Sequence, residues 1–541
     1  MAQLRRGFRS EVFAHNAFMY EKERMYIDVS STRSAWSEVD EFLQSTSCGV
    51  CLVNAQSGAG KSSFLAKLAS TYQQKESQAV YTRFCGTTPL TSTSKDVLIS
   101  LIEELKESEV DEEAEENEME KMKNGTLKEV RDSLFRTLST KNDKSIIIVI
   151  DALDKLKDGS IPFWLVPSFE TVFPAGVHVV ASFIPDVTNT EHVEKYFSSH
   201  TQQRESMDTA SAKLLQVTLP VLDTLQDKEM IIRHHLLRSD FPRKADEIEL
   251  PAIATPLHLT LAALHAVFPI HLNGETQAGE SVMNLVLLFF QKLEVYHGEV
   301  LVRKAFQYLN IAKEGLAAIE WEDLLSLDEE VKSSLFGGAQ KDHATPPRLP
   351  GYVIQHILRS LEGLIQTSGR EGYALYRWFH RQFWEGAAEK YRADADALRT
   401  FASYFSSKST PEFGVKQEVE VGGKYNVRRG VELFPACFSL CADHADMSEL
   451  EDWACSISDI YLVCHCKVWS GVVSQLSSLP NIESLRKEGG RKRAVYDVYR
   501  LLLSSGNEME GCESVASMCR WVEQKKVLPS SCTVLTSDDL N

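Results

Sequence analysis

The chain has 541 residues, room for about three or four domains, and 43% of them are apolar, ample for packed cores. A formal charge of −18 disfavours a general nucleic-acid surface, and no apolar run approaches the length of a membrane span; Met283 to Phe290 is among the longest. Eleven cysteines without a regular spacing fit a reducing, cytoplasmic setting better than a disulfide framework.

Residues 1–45 read as a helical lead-in, with Phe8, Val12, Phe13 and Phe18 loosely spaced and Met25-Tyr26-Ile27-Asp28-Val29 behind them. A place beside a ligand and a plain docking role both fit this segment. Its arginines have no apolar stretch after them, so it is no secretory signal. Glu11, Glu21 and Glu23 count against a mitochondrial presequence. Cys48-Gly49-Val50-Cys51 follows. Its second Cys enters a strand, so the pair reads as two small core residues rather than a redox or zinc site.

Leu52 to Phe64, LVNAQSGAGKSSF, is strand, loop and helix in the order that a phosphate-binding loop requires. Small residues let backbone N–H groups converge on a phosphate, and the helix start adds partial positive charge. The candidate loop is Ser57, Gly58, Ala59, Gly60, Lys61, Ser62 and Ser63. Lys61 is expected to reach the terminal phosphates and Ser62 to ligate Mg²⁺. The pattern G-x-x-x-x-G-K-[ST] is met except that Ala55 stands for the first Gly, which requires φ below zero there.

Ala79 to Cys85 is the second strand, Gly86 to Ser94 a Thr- and Ser-rich turn, and Asp96 to Leu105 a helix. Residues 103–120 carry eleven acidic residues and one Lys, so most of the net charge is local. This acidic insertion reads as a solvated helix extension or a disordered tip. Leu127 to Leu138 is a helix. Ser145 to Leu156, SIIIVIDALDKL, holds five consecutive branched aliphatics, the mark of a strand buried on both faces. It ends in Asp151, about ninety residues after Lys61. A carboxylate at that strand end faces the crevice beside the phosphate loop. Asp151 is the candidate Mg²⁺ holder, through water, and Asp154 the candidate for orienting an attacking water. Val177 to Phe183 is a fourth strand, with Ser182 expected to face the γ-phosphate. Leu214 to Leu219 is a fifth. The alternation over 46–220 predicts a doubly wound, parallel α/β domain.

Beyond residue 220 the chain turns mostly helical. Over 221–278 a helix opens at Asp223, with Leu225, Met230, Ile231 and Leu236 on its apolar side, and a second starts at Thr255-Pro256-Leu257. Over 279–394 helical periodicity leads to Leu364-Ile365-Gln366 and Tyr373-Ala374-Leu375, which bracket Gly369 and Gly372 and suit a β-wing. His380 follows in Trp378-Phe379-His380, and a lone His beside aromatics reads as structural. Residues 395–541 are predicted as helices and loops. Cys437, Cys441, His444, Cys464, His465 and Cys466 match none of the paired spacings of a zinc site. Arg486 to Arg493 reads as a solvated basic loop. No internal repeat is evident.

In succession these segments resemble the NACHT group of signal-transduction (STAND) P-loop NTPases, above all its nephrocystin-type and telomerase-associated (vault) branch. The resemblance runs from about residue 8 to about residue 470. It rests on the order of FAHNAFMYEKERMYI, LVNAQSGAGKSSF, VYTRFCGTTPLTSTSKDVL, VIDALDKL, LPVLDTLQDKEMIIRHHLL, ATPLHLTLAAL, GEVLVRKAFQYLNIAKEGLAAIEWEDLL and YRWFHRQFWEGAAEKY. It implies a multidomain α/β plus α fold: a P-loop NTPase core, a helical arm, a winged-helix domain and a helical C-terminal region. It implies ATP or ADP with Mg²⁺ clamped between core and winged helix. Pro256 would then lie beside the adenine, His380 on the phosphates of ADP, and Tyr26 and Ile27 near the base. ATP over GTP comes from the resemblance alone.

Three positions depart from it: Ala55, Lys155 where many relatives have an acid or Gln, and Phe183 where many place an arginine sensor. Loss of a cation at the γ-phosphate slows hydrolysis by orders of magnitude. The expected function is therefore an ATP/ADP-gated switch or scaffold with slow or no turnover. A working ATPase, and a cytoskeletal or ciliary structural protein with a vestigial site, are the other readings. Proteins are the expected partners, a second copy included, and charge disfavours RNA. The 541 residues hold no propeller or tetratricopeptide array. Partner reading then falls to residues 395–541 or lies elsewhere.

Overall fold

The computed structural model describes residues 2–88, 91–106, 122, 125–141, 145–156, 158, 163–166, 173–185, 212–237, 248, 250–268, 270, 281–336, 348–370, 373–421, 423–480 and 482–525. The acidic run beyond Lys106 lies outside these. The chain divides into two compact units, residues 1–286 with 368–372, and residues 287–367 with 373–541.

The first unit is built on five parallel strands: β1 (Gly49–Asn54), β2 (Gln78–Phe84), β3 (Ser145–Asp151), β4 (Val177–Phe183) and β5 (Lys213–Thr218). Their order is β2-β3-β4-β1-β5. The register sets Phe84 opposite Asp151, Ile150 opposite Ala181 and Val53 opposite Ser182. Successive strand side chains point to opposite faces. Ile146, Ile148, Ile150, Val179 and Phe183 pack on one face with α4 (Ser94–Lys106) and α5 (Leu127–Ser139). The capping box between Thr126 and Glu129 starts α5. Ile147, Val149 and Ser182 therefore point to the other face, and α3 (Lys61–Gln73) packs across β2, β3 and β4. Helices on both faces make the domain doubly wound.

The lead-in is two helices, α1 (Ala2–Glu23) and α2 (Arg33–Ser45), joined through a short 3₁₀ turn at Ser30–Thr32. α1 packs on α3 and on the edge strand β2. There the buried His15 accepts the Phe84 N–H at Nδ1 (3.2 Å), and its Nε2 meets Glu11 at 3.1 Å. A polar group facing a free strand edge blocks pairing with another chain. Phe18 is buried, but Phe13 is 73% exposed and is not part of the apolar face.

The arm is α6 (Leu225–Leu237) and α7 (Pro256–Val267). The expected apolar face of α6 needs correction. Leu225 and Met230 are 61% and 38% exposed, whereas Ile231, Ile232 and Leu236 pack with Val29, Ala254 and Leu259. The lead-in segment holding Val29 docks on that face of the helix and decides which side is buried.

The second unit begins within α8 (Val282–His297) and continues through α9 (Glu299–Ile311), α10 (Ala318–Leu327), α11 (Glu329–Phe336) and α12 (Tyr352–Ser360). The strand pair β7 (Ile365–Arg370) and β8 (Tyr373–Trp378) joins the short β6 (Leu316–Ala317) in the order β6-β8-β7, and α13 (Arg381–Lys390) follows. Phe290, Phe306, Trp378 and Tyr391 meet with ring centroids 5.0–5.6 Å apart at its centre.

From α14 (Ala395–Phe405) and α15 (Val427–His444) onward the unit is helical. A two-residue hairpin, β9 (Glu420–Val421) and β10 (Lys424–Tyr425), interrupts it. The expected basic loop is instead a 3₁₀ turn, Ile482–Lys487, followed by the start of a helix, Gly490–Glu510, where Arg491 pairs with Asp452 and Arg493 with Asp497. The ten cysteines among the described residues are free thiols, and no group of metal-ligating side chains forms there. Among the described residues, no helix is long and apolar enough to cross a membrane.

Candidate functional site

β1 lies inside the sheet between β4 and β5, is buried from Gly49 to Val53, and delivers the chain to the loop at 55–60. Gly58 and Gly60 both take positive φ, 80° and 87°. Ala55 does not, so its Cβ is tolerated where the motif has Gly. Gly60 is the N-cap of α3 and offers no side chain to the first N–H groups of that helix. Those donors and the helix dipole are left to face the loop.

A second element leans on the loop. The Leu257 N–H, at the start of α7, donates to the Gly58 carbonyl at 3.1 Å. A Cβ at Gly58 would stand 2.8 Å from Leu257 Cβ, and one at Gly60 would meet Pro256 Cγ at 3.5 Å. Thr255 caps α7 by accepting the His258 N–H, and Pro256 occupies the first turn. Pro256 is thus set beside the loop by local helix chemistry. Ile27 packs with the core of the arm, and the Tyr26 ring lies 6.2 Å from Trp36, itself edge-on to Phe64 of α3 at 5.6 Å.

Lys61 is buried, and its Nζ donates to the carbonyls of Ala55 (2.7 Å) and Gln56 (2.9 Å). Burial lowers its pKa, with Asp154 and Asp151 opposing. Asp151, at the end of β3, is held at both oxygens. Ser62 Oγ donates to Oδ2 at 2.6 Å and Ser182 Oγ donates to Oδ1 at 2.5 Å. The Ala152 N–H donates back to Ser182 Oγ at 2.9 Å. The expectation for Ser182 is thereby corrected: the hydroxyl is spent on Asp151 and Ala152, and the side chain is fully buried. Phe183, one residue on, points into the core on the α4–α5 face. Strand alternation sends Ser182 to the loop side and Phe183 away from it.

Ala152 takes a left-handed conformation, φ 59° and ψ 57°, and turns the chain into the 3₁₀ turn Leu153–Lys155. Asp154 sits in that turn. Its Oδ1 is buried without a hydrogen-bond partner. Burial and the neighbouring Asp151 push its carboxyl up, with Lys61 opposing. Lys155 is exposed.

The first unit therefore brings together Ser57 to Ser63, Asp151, Asp154 and Pro256. His380 belongs to the second unit, at the N-cap of α13, where its ring meets Phe379 edge-on at 4.4 Å. Two residues escape a reading by motif. Lys22, at the end of α1, is 4% exposed, lies 5.2 Å from the Phe18 ring and is within electrostatic reach of Asp151. Asp227 fastens the lead-in to the arm. No motif signals either: Lys22 bonds its chain neighbour Glu21, whereas Asp227 meets partners 196 and 197 residues away.

A chain of glycine-freed N–H donors, one cation and a carboxylate joined to a hydroxyl is suited to a polyphosphate and a hard divalent cation. Two observations test the fit. Gly58 and Gly60 hold the loop in left-handed backbone that a Cβ would strain, and the buried Asp154 Oδ1 has no hydrogen-bond partner. Sheet order, loop and paired acid define the class: a P-loop NTPase core.

Residues 34–172 match the nephrocystin 3 N-terminal family, and residues 276–399 match the NWD1-like winged helix-turn-helix domain. The chain is 26% identical over 326 residues to the human NACHT domain- and WD repeat-containing protein 1, covering 57% of this chain and 19% of that protein. It is 23% identical over 354 residues to the human NACHT and WD repeat domain-containing protein 2, covering 60% of this chain and 18% of that one. The chain thus spans about a fifth of the length of these relatives. The crystal structure of Cdc6p from Pyrobaculum aerophilum aligns at 12% identity over 68% of this chain and 97% of that one, with a TM-score of 0.28, too low to add to what the sheet itself gives. Residues 34–172 are thus a nephrocystin-type N-terminal part and residues 276–399 a winged-helix domain, and the chain is similar to NACHT-type (STAND) P-loop NTPases.

Proposed function

We propose that the chain is an ATP/ADP-binding switch or scaffold with slow or no turnover. The observation that carries this is the Ser62–Asp151 hydrogen bond, 2.6 Å long, at a loop whose lysine is buried beside it. Ser62 and Asp151 are the residues that would hold Mg²⁺, and Lys61 with the N–H groups of 57–63 would hold the phosphates. The bound Mg²⁺ would supply charge neutralisation at the phosphate tail. Pro256 would lie against the base.

Slow turnover is supported by the end of β4. Ser182 is committed to Asp151 and Phe183 to the core, so that strand end brings no cation to the site. The finer reading adds His380, which would touch the phosphates of ADP and stabilise a closed state. A switch needs nucleotide and partner to differ in affinity between two states. We take the partners to be proteins, a second copy included, in the cytoplasm or at a cytoskeletal structure.

One observation favours a working ATPase. Asp154 Oδ1 is buried and unpartnered, with a raised pKa, and is suited to take a proton from a water. Phosphate release that vanishes in Asp154→Asn supports turnover, and release no faster than buffer alone excludes it. The switch reading is tested by identifying and counting nucleotide in protein purified without added ligand, then titrating ADP into Lys61→Ala. Loss of binding is expected. Unchanged ADP affinity in that variant would sink the proposal.

A further inference from the structure

The segment from Tyr26 to Thr32 is fastened to the arm at one residue. Asp227, in the first turn of α6, is 1% exposed. Its Oδ1 accepts the Ser30 N–H (2.9 Å) and the Ser30 hydroxyl (2.8 Å), and its Oδ2 accepts the Ser31 N–H (2.8 Å) and the Ser31 hydroxyl. Burial alone would raise this carboxyl. The hydrogen bonds from Ser31 and Ser30 outweigh that and hold it well below the usual carboxylate range.

The neighbouring residue reinforces the arrangement. Lys228, also buried, donates to the carbonyls of Asp223 (2.9 Å), Pro251 (3.0 Å) and Ala252, which pins the segment leading into α7. α7 in turn begins on the phosphate loop, through Leu257 N–H and Gly58. Val29, Ile232, Ala254 and Leu259 fill the space between. Loop, α7, α6 and the Tyr26–Thr32 segment are thus joined in series, and Val29 also packs with Leu259 of α7. Apolar packing would tolerate small shifts of that segment. A carboxylate taken out of water does not, because its desolvation is offset only while its donors stay in place.

We propose that Asp227 is a positioning residue for the nucleoside half of the bound nucleotide. By fixing Ser30 and Ser31 to the arm it holds the Tyr26–Val29 segment against α6 and α7, the helix that begins on the loop, and so sets how long a nucleotide stays. This rests on the nucleotide-binding reading above. The phosphates are held by the loop itself and do not depend on the latch.

The test uses the full chain with a fluorescent N-methylanthraniloyl ATP and with inorganic tripolyphosphate, a ligand that has no base. In Asp227→Asn, which keeps the shape but loses acceptor strength, nucleotide dissociation is expected to quicken about tenfold, a change of about 1.4 kcal/mol. Tripolyphosphate affinity is expected to stay within about twofold of wild type, since the loop is untouched. Should Asp227→Asn fail to fold, Ser30→Ala with Ser31→Ala removes two donors and keeps both N–H groups; the same split at smaller size is expected. Unchanged nucleotide dissociation in a folded variant overturns the proposal, as does an equal loss of both ligands. Wild type that binds neither ligand overturns the underlying reading instead.

Discussion

Ser182 donates to Asp151 Oδ1 at 2.5 Å while Ser62 donates to Oδ2 at 2.6 Å, so two hydroxyls from different elements fix one carboxylate. Ser182→Ala would leave Oδ1 and the Ala152 N–H without their partner in a buried place. The expected cost is about 1–3 kcal/mol of stability. Urea denaturation measures it. Nucleotide affinity should fall more with Mg²⁺ than with EDTA, because Ser182 acts through the candidate metal ligand. An equal fall under both conditions would speak against that role.

Substitutions at Gly58 and Ala55 should both lower stability but differ in their effect on binding. Gly58 has φ 80° and stands against Leu257. Gly58→Ala is expected to lose about 1–2 kcal/mol from the left-handed backbone alone, more from the clash, and to lose ATP binding. Ala55→Gly removes a buried methyl and frees the backbone, which costs about 0.5–1 kcal/mol and leaves binding in place. Denaturation and ligand titration on both variants check the pair.

Arg428 is the centre of a buried charge cluster in the second unit. Its guanidinium makes a fork with both oxygens of Glu320 (2.9 Å each) and reaches Glu432 (2.9 Å) and the Gly315 carbonyl (2.7 Å). Glu432 also accepts the N–H groups of Lys313 and Glu314. These contacts tie α15 to the winged-helix segment around β6. Arg428→Met would leave two buried carboxylates uncompensated, at an expected cost of about 3–5 kcal/mol. Arg493→Met, at the more exposed pair with Asp497, should cost under about 1 kcal/mol. Urea midpoints of the two variants make the comparison.

Three histidines predict a pH dependence. Burial lowers the pKa of His15, against the opposing bond to Glu11, and of His178, against the opposing bond to Thr46. Burial, with His356 adding to it, lowers His297 to about 4. Each is neutral when folded, and the unfolded chain binds the proton first, near pH 6.5. Their stabilisation is complete above that value and is lost as pH falls toward the folded values. Urea midpoints at pH 7.5 and 5.5 should differ less in His178→Gln than in wild type. A larger difference in the variant would reverse the assigned sign.

The loop and its acid were legible in the residues because their chemistry is local. Glycines at 58 and 60, a lysine at the helix start and an acid closing a run of branched aliphatics can each be read within a few positions. The β-wing was legible for the same reason, from two short apolar runs around glycines. The apolar face of α6 was not. Periodicity offered Leu225 and Met230 together with Ile231 and Leu236 and left out Ile232, and only the docking of Val29 showed which side is buried.

What the sequence determined by itself is the order of strand, loop and helix, and the residue types that a phosphate and a divalent cation require. Tertiary structure decided which side chains share a contact. The register of β4 between β3 and β1 turned Ser182 toward Asp151 and Phe183 into the core. Asp227 found Ser30 and Ser31 across 197 and 196 residues. Such pairings depend on how strands and helices stack in space, and no local pattern records them, because hydrogen bonds act over a few ångströms whatever the separation along the chain.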